Sequence, residues 1–222
     1  MELTAAQQLA REAGLALERK GGRLVLLDGT MEVYGDFTRM LPRLKQGVVQ
    51  REMLVKAARV KGVASPVAVD ATAGLGEDAL LLAAAGFTVV MFERDPVIAA
   101  LLDDALTRAT QTPALAETAA RMSLHAADSI ESLPRLDARP DVVVLDPMFP
   151  AKHGDARAKK KLQMIQRLES PCADEGALLG AAFDAQPRKI VVKRPLKGPF
   201  LDSRKPAYSL KGKTIRYDVY IP

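Results

Sequence analysis

Short apolar runs alternate with amphipathic stretches from residue 67 onward, and this alternation limits the fold more than any other feature. The β-branched runs predict strands at VAVDAT, TVVMFERD, DVVVLDPMFP and KIVVKRP, with a weaker one at MSLHAADS. Helices are predicted between them, at EDALLLAAAG, PVIAALLDDALTRAT and ALLGAAFDA. Such alternation produces right-handed βαβ units. The sequence therefore predicts an α/β, Rossmann-like fold with a mostly parallel twisted sheet, to which KTIRYDVYIP adds an antiparallel strand.

The first 36 residues follow a different pattern. LTAAQQLAREAGLAL has the spacing of a short amphipathic helix with Thr4 as its N-cap. Asp28-Gly29 lies between two apolar runs and predicts a hairpin, because both turn positions favour positive φ. Residues 1–36 are thus predicted to form a small α+β appendage, and residues 37–222 the main domain. After the appendage, residues 41–62 (LPRLKQGVVQREMLVKAARVKG) have helical spacing with basic residues between the apolar ones. This spacing predicts a helix.

Composition narrows the class of protein. A chain of 222 residues with 48% hydrophobic residues suits one medium domain with a small appendage. We expect neither a membrane span nor a secretory signal, because no stretch approaches roughly 18 consecutive apolar residues and the start lacks an apolar segment. The single cysteine, Cys172, fits a reducing cytoplasm. With two histidines in the chain, we expect no histidine-rich metal site.

The stretch VDATAGLGEDA joins the first strand of the main domain to a helix. Small residues between Asp70 and Asp78, Gly74 and Gly76 among them, let a ligand approach the backbone closely. The N–H groups at the start of the helix face the same place. Open α/β sheets bind ligands at the carboxyl ends of their strands, near the point where strand order reverses. The turn is therefore predicted to bind a nucleotide-like cofactor.

Three acids fit such a cofactor, and Asp70 among them favours S-adenosylmethionine over a dinucleotide. Glu93 ends the next strand, 17 residues after Gly76, where an acid can accept both ribose hydroxyls of NAD or of S-adenosylmethionine. Asp70 would attract the cationic methionine end of S-adenosylmethionine and repel a pyrophosphate. Asp128 could accept the adenine amino hydrogens. The dinucleotide pattern GxGxxG, with Ala79 as an allowed third-position substitute, keeps an NAD(P)-dependent oxidoreductase open at this point.

The motif DPMFP, residues 146–150, follows a strand that ends at the same sheet edge. An exocyclic base amine is a poor nucleophile, because its lone pair is delocalised into the ring. An enzyme must therefore hold both N–H bonds while the lone pair faces the methyl donor. Asp146 and the Pro147 carbonyl can accept those hydrogens, and Phe149 can stack on the base. The motif predicts in-line methyl transfer to a base amine, with most of the rate supplied by positioning.

Positive charge is concentrated behind this motif. Residues 151–222 carry 16 Lys/Arg against 7 Asp/Glu, whereas residues 1–150 are mildly acidic. Lysine and arginine contacts to phosphate supply affinity for RNA without sequence choice. The predicted RNA contacts are Lys152, Arg157, Lys159, Lys160, Lys161, Lys193 and Arg194. For Lys193 and Arg194, which end a strand, closure of the sheet edge is the alternative.

Four segments resemble the RsmJ (YhiQ) family between about residue 35 and the C-terminus: VDATAGLGEDA, FERDPVIAALLDDAL, LDPMFP and VVKRP. Members of that family are bacterial S-adenosylmethionine-dependent methyltransferases that modify guanine N2 in small-subunit (16S) ribosomal RNA. The resemblance implies this fold and activity, with ribosomal RNA or the small ribosomal subunit as partner. It also implies cofactor contacts at Glu77, Asp78, Glu93, Arg94, Ala127, Asp128 and Asp146.

Three functions stay open from the sequence. The first is an RNA guanine-N2 methyltransferase. The second is an NAD(P)-dependent oxidoreductase, although the chain shows no obvious Tyr-Lys or histidine catalytic pair. The third is a non-catalytic RNA-binding relic of the methyltransferase fold, against which the retained Asp146, Pro147 and Phe149 argue. The sequence does not predict the oligomeric state.

Overall fold

A computed structural model describes residues 3–147, 164, 168 and 174–222. The strands are β1 (Ala16–Lys20), β2 (Arg23–Asp28), β3 (Met31–Val33), β4 (Val67–Asp70), β5 (Thr88–Phe92), β6 (Met122–His125), β7 (Val142–Leu145), β8 (Lys189–Pro195), β9 (Tyr208–Lys211) and β10 (Ile215–Tyr220). The helices are α1 (Leu3–Glu12), α2 (Leu41–Leu44), α3 (Met53–Ala58), α4 (Glu77–Ala84), α5 (Pro96–Thr110), α6 (Ala116–Ala119), α7 (Ser129–Ser132) and α8 (Glu175–Asp184). Within these ranges, no helix is long and apolar enough to cross a bilayer.

Seven strands form one sheet in the order β6-β5-β4-β7-β8-β10-β9. The pairs from β6 to β8 are all parallel, and β10 runs antiparallel to both β8 and β9. The chain moves outward from β4 to β6 and then returns to the other side of β4 with β7, so strand order reverses between β4 and β7. The predicted α/β fold is confirmed, as is the antiparallel strand in KTIRYDVYIP. Strand β9 was not predicted.

Both faces of this sheet are covered by apolar packing. One cluster joins β4, β5 and β7 to α3 and α4, and a second joins β4, β7 and β8 to α8. All four residues of β7 are buried, as expected for a central parallel strand. The predicted helix PVIAALLDDALTRAT matches α5 in both bounds. Asp95 fixes its start by accepting the Val97 and Ile98 N–H groups, each at 2.9 Å, and Pro96 occupies the first turn.

The appendage is a three-stranded antiparallel sheet, β1-β2-β3, with α1 beside it. A hairpin joins β1 to β2 through Gly21 and Gly22, whose φ values of 58° and 76° suit a two-residue turn. The predicted hairpin between β2 and β3 is present, but Asp28 pairs with Met31 in the ladder, so its loop is one residue later than predicted. The predicted helix was too long, because the last residues of LTAAQQLAREAGLAL belong to β1.

This appendage packs on the outer side of α5. Leu24 and Leu26 of β2 share a buried cluster with Leu101 of α5. Arg19 also forms an ion pair with Asp104 of α5, with Nη1 and Oδ1 at 3.1 Å. The appendage and the main domain therefore share a core at α5. A domain boundary between residues 36 and 37 stays a prediction.

The continuous helix predicted in LPRLKQGVVQREMLVKAARVKG is wrong. Residues 41–58 form two short helices, α2 and α3, separated by a turn at Gly47 and a 3-10 helix at Val49–Arg51. Gly47 takes a φ of 77°, which an α-helix cannot include. This segment, residues 41–62, is the connector between the appendage and the large sheet. It buries Val49, Leu54 and Val55, so the apolar spacing predicted correctly which residues are buried. It did not predict the break in the helix.

Candidate active site

A cavity of about 420 Å³ opens at the carboxyl edge of the large sheet. It spans the point where strand order reverses and reaches the ends of β5 and β8. The predicted site residues on its wall are Asp70, Gly74, Glu77, Asp78, Glu93, Arg94, Asp128, Asp146, Pro147 and Lys193. The structure therefore brings the glycine turn and the start of the DPMFP motif to one cavity, where open α/β sheets bind ligands.

Gly76 shapes the turn that begins this cavity. It adopts a φ of 78° at the N-terminus of α4, and a Cβ there would lie 2.6 Å from Leu102 Cδ1 and 3.1 Å from Phe37 Cζ. A side chain at this position would be strained and would collide with the core. Gly76 is absent from the cavity wall. Gly76 therefore allows α4 to start close against α5, and it does not line the predicted cofactor site.

Glu93 ties the glycine turn to the end of β5. Its carboxylate is 5% exposed, and it accepts the Gly74 N–H at 2.8 Å through one oxygen and the Asp95 N–H at 2.9 Å through the other. Burial raises the pKa of Glu93, and the two backbone N–H groups oppose that rise. Each carboxylate oxygen has two acceptor sites, so both remain able to accept a hydroxyl from a ligand. Glu93 thus holds the turn and can still meet a ribose.

Asp70 is the most deeply buried acid of the wall. It is 2% exposed and accepts the Thr72 N–H at 3.2 Å. Burial, followed by the nearby Asp78 carboxylate, raises the pKa of Asp70 to about 8. The side chain is therefore largely protonated at neutral pH, and a cation brought into the cavity would favour its ionised form.

Asp146 is fixed by its backbone and by an ion pair. Its N–H donates to the Thr72 hydroxyl at 2.6 Å, which joins the acceptor motif to the glycine turn. Its carboxylate lies 2.8 Å from Lys193 Nζ, and the same ammonium lies 2.9 Å from Asp78. Burial raises the pKa of Asp146, and Lys193 opposes that rise. Burial alone would lower the pKa of Lys193, but Asp146 and Asp78 hold it above its usual value.

Acids outnumber bases on the cavity wall. The six acids are Asp70, Glu77, Asp78, Glu93, Asp128 and Asp146, and the bases are Arg94 and Lys193. Even with Asp70 protonated, the acids outnumber the bases. A wall with this balance attracts a cationic ligand and repels a pyrophosphate. In the described part of the chain, no three His, Cys, Asp or Glu side chains are arranged to hold a metal ion. The wall thus suits the sulfonium and ammonium groups of S-adenosylmethionine better than a dinucleotide.

The far end of the cavity has a mixed apolar and polar wall. Phe92, Ile98 and Ile130 contribute apolar surface, and Asp128 stands beside them. Asp128 caps α7 by accepting the Ile130 N–H at 2.8 Å, which fixes its carboxylate at the cavity. An apolar slot with one carboxylate at its side fits a purine ring whose amino group needs an acceptor.

Besides Gly76, two predicted site residues lie off the cavity wall, Ala127 and Arg194. Ala127 is not on the cavity wall, because it packs against the apolar cluster near α8. In this part of the chain the wall is formed by Asp128, Ser129 and Ile130. Arg194 is 1% exposed, and its guanidinium donates to Glu175 at 3.0 Å and to the Pro199 carbonyl at 2.9 Å. A buried guanidinium with these bonds cannot reach RNA phosphate, so the predicted RNA contact of Arg194 is wrong. Its bonds to Glu175 and to the Pro199 carbonyl are consistent with the alternative, in which Arg194 closes the sheet edge.

Lys193 also differs from its prediction. It faces the cavity with both of its acid partners, instead of standing on an outer surface ready for phosphate. The remaining predicted residues lie outside the described residues. They are Phe149, Lys152, Arg157, Lys159, Lys160 and Lys161.

Sequence reasoning missed one residue of the cavity wall, Thr72, and one buried residue beside the site, Tyr217. Thr72, inside the ATAG segment, connects the glycine turn to Asp146 through its hydroxyl. Tyr217 on β10 pairs in register with Lys193, and burial followed by the Asp78 charge raises the pKa of its phenol. The sequence offered a signal for Thr72, since it is the hydroxyl residue of the turn. It offered none for Tyr217, because the pairing of β10 with β8 sets its position.

Comparison with known proteins agrees with this geometry. The model of a family described as SAM-dependent methyltransferases matches residues 3–222. Ribosomal RNA small subunit methyltransferase J of Aeromonas salmonicida is 42% identical over 85% of this chain and 77% of its own length. The protein of the same name from Neisseria gonorrhoeae is 39% identical over 90% of this chain and 80% of its own length.

Solved structures give the same result. The crystal structure of the SAM-dependent methyltransferase NGO1261 from Neisseria gonorrhoeae aligns with a TM-score of 0.77 and 34% identity, covering 98% of this chain and 91% of that one. The rRNA methyltransferase AviRa from Streptomyces viridochromogenes shares the fold alone, with a TM-score of 0.51 and 17% identity over 81% of this chain and 92% of that one. The predicted resemblance is confirmed, and the chain belongs to the S-adenosylmethionine-dependent methyltransferase family that includes ribosomal RNA small subunit methyltransferase J.

Proposed function

We propose that this chain transfers a methyl group from S-adenosylmethionine to the N2 amine of a guanosine in 16S ribosomal RNA. The observation that carries the proposal is the shared cavity, in which an acidic glycine turn and the Asp146-Pro147 acceptor corner face each other. A methyl donor and an amine held there would meet at the reversal point of one sheet. The choice of 16S RNA rests on relatives named ribosomal RNA small subunit methyltransferase J.

In this proposal, four acids would hold the cofactor. Glu93 would accept the ribose hydroxyls, and Asp128 would accept the adenine amino hydrogens at the apolar end. Asp70 and Asp78 would face the cationic methionine end. When bound, the cofactor supplies a methyl group that its sulfonium centre makes electrophilic.

The acceptor amine would be held by the corner at residues 146–147. Asp146 and the Pro147 carbonyl would accept its two N–H bonds, which leaves the nitrogen lone pair free to face the methyl carbon. The Thr72 hydroxyl fixes the Asp146 backbone, and Lys193 fixes its carboxylate. With the amine held in this way, its nitrogen would form the new N–C bond as the S–C bond of the methyl donor breaks, which leaves a neutral thioether. The amine would then lose one proton to solvent. No strong general base is needed, so most of the rate comes from orientation.

The other two functions find less support. Six acids on the wall disfavour the pyrophosphate of NAD(P). An RNA-binding relic would have no reason to keep Asp146 hydrogen-bonded to the glycine turn and paired with Lys193. We also propose the cytoplasm as the place of action, with ribosomal RNA or the small ribosomal subunit as the partner.

The proposal is tested with methyl-labelled S-adenosylmethionine and small ribosomal subunits from a strain that lacks this gene. Nucleoside analysis should find the label in N2-methylguanosine of 16S RNA. Naked 16S RNA in a parallel reaction shows whether the assembled subunit is required. Label in another nucleoside would contradict the assigned target, and no transfer to either substrate would contradict the proposed activity.

A further inference from the structure

A group of exposed cations stands beside the cavity on its β8–β10 side. It combines the connector after the appendage with the segment around the β9–β10 hairpin. We call it the basic surface, and its members are Arg43, Lys45, Arg51, Lys197, Lys211 and Lys213, each of which is exposed.

Backbone and side-chain contacts bring the two segments together. A Cβ at Gly212 in the β9–β10 hairpin would lie 2.7 Å from Met53 Cε, at the start of α3. The Leu196 N–H donates to the Thr214 carbonyl at 2.9 Å, so Lys197 follows directly beside the same hairpin. The hairpin therefore lies between the connector and the end of β8.

The basic surface reaches the edge of the active site through Arg43. Its guanidinium is held by both oxygens of Glu52, at 2.8 and 2.9 Å. Glu52 chiefly, and Asp78 and Glu77 of α4 to a lesser degree, raise the pKa of Arg43. The register of β10 with β8 pairs Ile215 with Pro195 and Tyr217 with Lys193, so the cations of the hairpin stand at the end of the strand that carries Lys193 into the cavity.

Apart from Arg43, which is paired with Glu52, the cations of this surface are not neutralised locally. Within residues 3–147 and 174–222, Lys45, Arg51, Lys197, Lys211 and Lys213 form no ion pair. The sequence has no acid between residues 53 and 69 or between residues 203 and 217. The opposite side of the cavity carries acids instead, among them Glu93, Asp95 and Asp128. The edge of the sheet is thus acidic around the cofactor region and basic beyond the acceptor corner.

We propose that the basic surface binds the phosphate backbone of the substrate RNA and brings the target nucleotide to the acceptor corner from the β8–β10 side. The inference rests on the proposed function, because it takes RNA as the substrate. A polyanion is favoured by exposed cations without acid partners, and contacts to phosphate fix its position without reading sequence. The acidic side of the cavity would repel the same backbone, so among the described residues the charge favours approach from the β8–β10 side.

The test compares two double charge reversals that give the protein the same net charge. Lys211→Glu with Lys213→Glu alters the basic surface. Arg59→Glu with Lys61→Glu is the control, because the Arg59 carbonyl is bonded to Lys189 at the start of β8, on the opposite edge of the sheet. Affinity for undermodified small subunits and for 16S RNA is measured at several KCl concentrations. S-adenosylmethionine affinity by calorimetry and thermal melting report on the cavity and on folding.

The Lys211/Lys213 variant should bind RNA at least about tenfold more weakly, with a salt dependence about 1.5 less steep in log–log slope, since each phosphate contact contributes about 0.7 to 0.9. Its S-adenosylmethionine affinity and melting should match those of the control. Equal weakening in both variants, or none in the first, would overturn the inference. Tight binding to an acidic ribosomal protein with unchanged RNA affinity would also overturn it. Absence of methyl transfer by the unaltered protein would instead contradict the proposed function, because binding is measured without transfer.

Discussion

Asp70 makes the free energy of unfolding depend on pH in an unusual direction. Its pKa of about 8 lies far above the ordinary value of 3.8, because its carboxyl is buried beside Asp78. Between those two values the folded protein keeps a proton that the unfolded chain releases. Folding is therefore favoured by this group at low pH, and that contribution is lost as the pH rises through the folded pKa.

The magnitude follows from one proton. A full difference of one bound proton changes the free energy of unfolding by about 1.4 kcal/mol per pH unit. Between pH 5 and pH 7 the contribution of Asp70 should therefore fall by about 2 to 3 kcal/mol, which is an upper range because buried sites relax. Asp70→Asn removes the titration and keeps a side-chain oxygen for the Thr72 N–H. The variant should thus be more stable than the unaltered protein, and increasingly so as the pH rises.

The assay is urea unfolding of the protein and of Asp70→Asn without cofactor at pH 5, 6, 7 and 8. Asp103→Asn is the control, because Asp103 is exposed on α5 and its replacement should leave the pH dependence unchanged. The difference between variant and protein cancels the other titrating groups to first order. A difference that is the same at pH 5 and pH 8 would refute the argument for a proton held at Asp70.

The same group should couple cofactor binding to pH. The cationic end of S-adenosylmethionine favours ionised Asp70, so binding in the cavity should release a proton at neutral pH. Affinity measured by calorimetry should rise from pH 6 to pH 8, and the heat should depend on the ionisation enthalpy of the buffer. In Asp70→Asn this proton release should disappear. Affinity that falls over this interval would contradict the placement of the cationic end near Asp70.

Two further predictions concern the turn and the ion pair. Gly76→Ala should destabilise the fold by about 1 to 3 kcal/mol, because its Cβ would lie 2.6 Å from Leu102 Cδ1. Gly180→Ala on α8 is the matched control and should stabilise the fold by about 0.5 to 1 kcal/mol, because no atom of the described residues lies within 4 Å of its Cβ. Equal shifts in melting would contradict the steric account. Lys193→Met should raise the pKa of Asp146 further, because it removes the ammonium that opposes the rise, and should move the acid limb of the pH–rate profile to higher pH. Lys193→Arg keeps a positive charge and should leave the acid limb near its original pH. An unmoved limb in Lys193→Met would show that the ion pair does not tune Asp146.

Local sequence signals predicted the elements that depend on neighbouring residues. The capping residue Asp95 and the proline after it fixed the start of α5, and the apolar runs located every strand from β4 to β8. The connector was different, because its apolar spacing continued across Gly47 while the backbone turned there. Periodicity reports which residues are buried, and it does not report a break between two buried segments.

Asp70, Glu93, Asp128 and Asp146 could be predicted because each ends or follows a strand, and the carboxyl ends of parallel strands meet at one edge. Glu77 and Asp78, at the start of α4, were predicted only through the family resemblance. The positions of the basic side chains could not be predicted in this way. Lys193 and Arg194 are adjacent in sequence, yet one faces the cavity and the other is buried against α8, since side chains alternate along a strand. The basic surface joins segments that are far apart in sequence, and only the pairing of β10 with β8 and β9 brings them together.

The central claim is that Asp146 holds the acceptor amine opposite the methyl donor, and single-turnover methyl transfer at saturating S-adenosylmethionine tests it most directly. Saturation removes any effect of the substitution on cofactor affinity, so the rate reports on the acceptor alone. Asp146→Ala should lose at least about a hundredfold in rate, as expected when an oriented hydrogen-bonding group is removed, and Asp146→Asn should retain more because its amide oxygen still accepts one N–H. Transfer by Asp146→Ala at the rate of the unaltered protein, with the label still in N2-methylguanosine, would contradict the account.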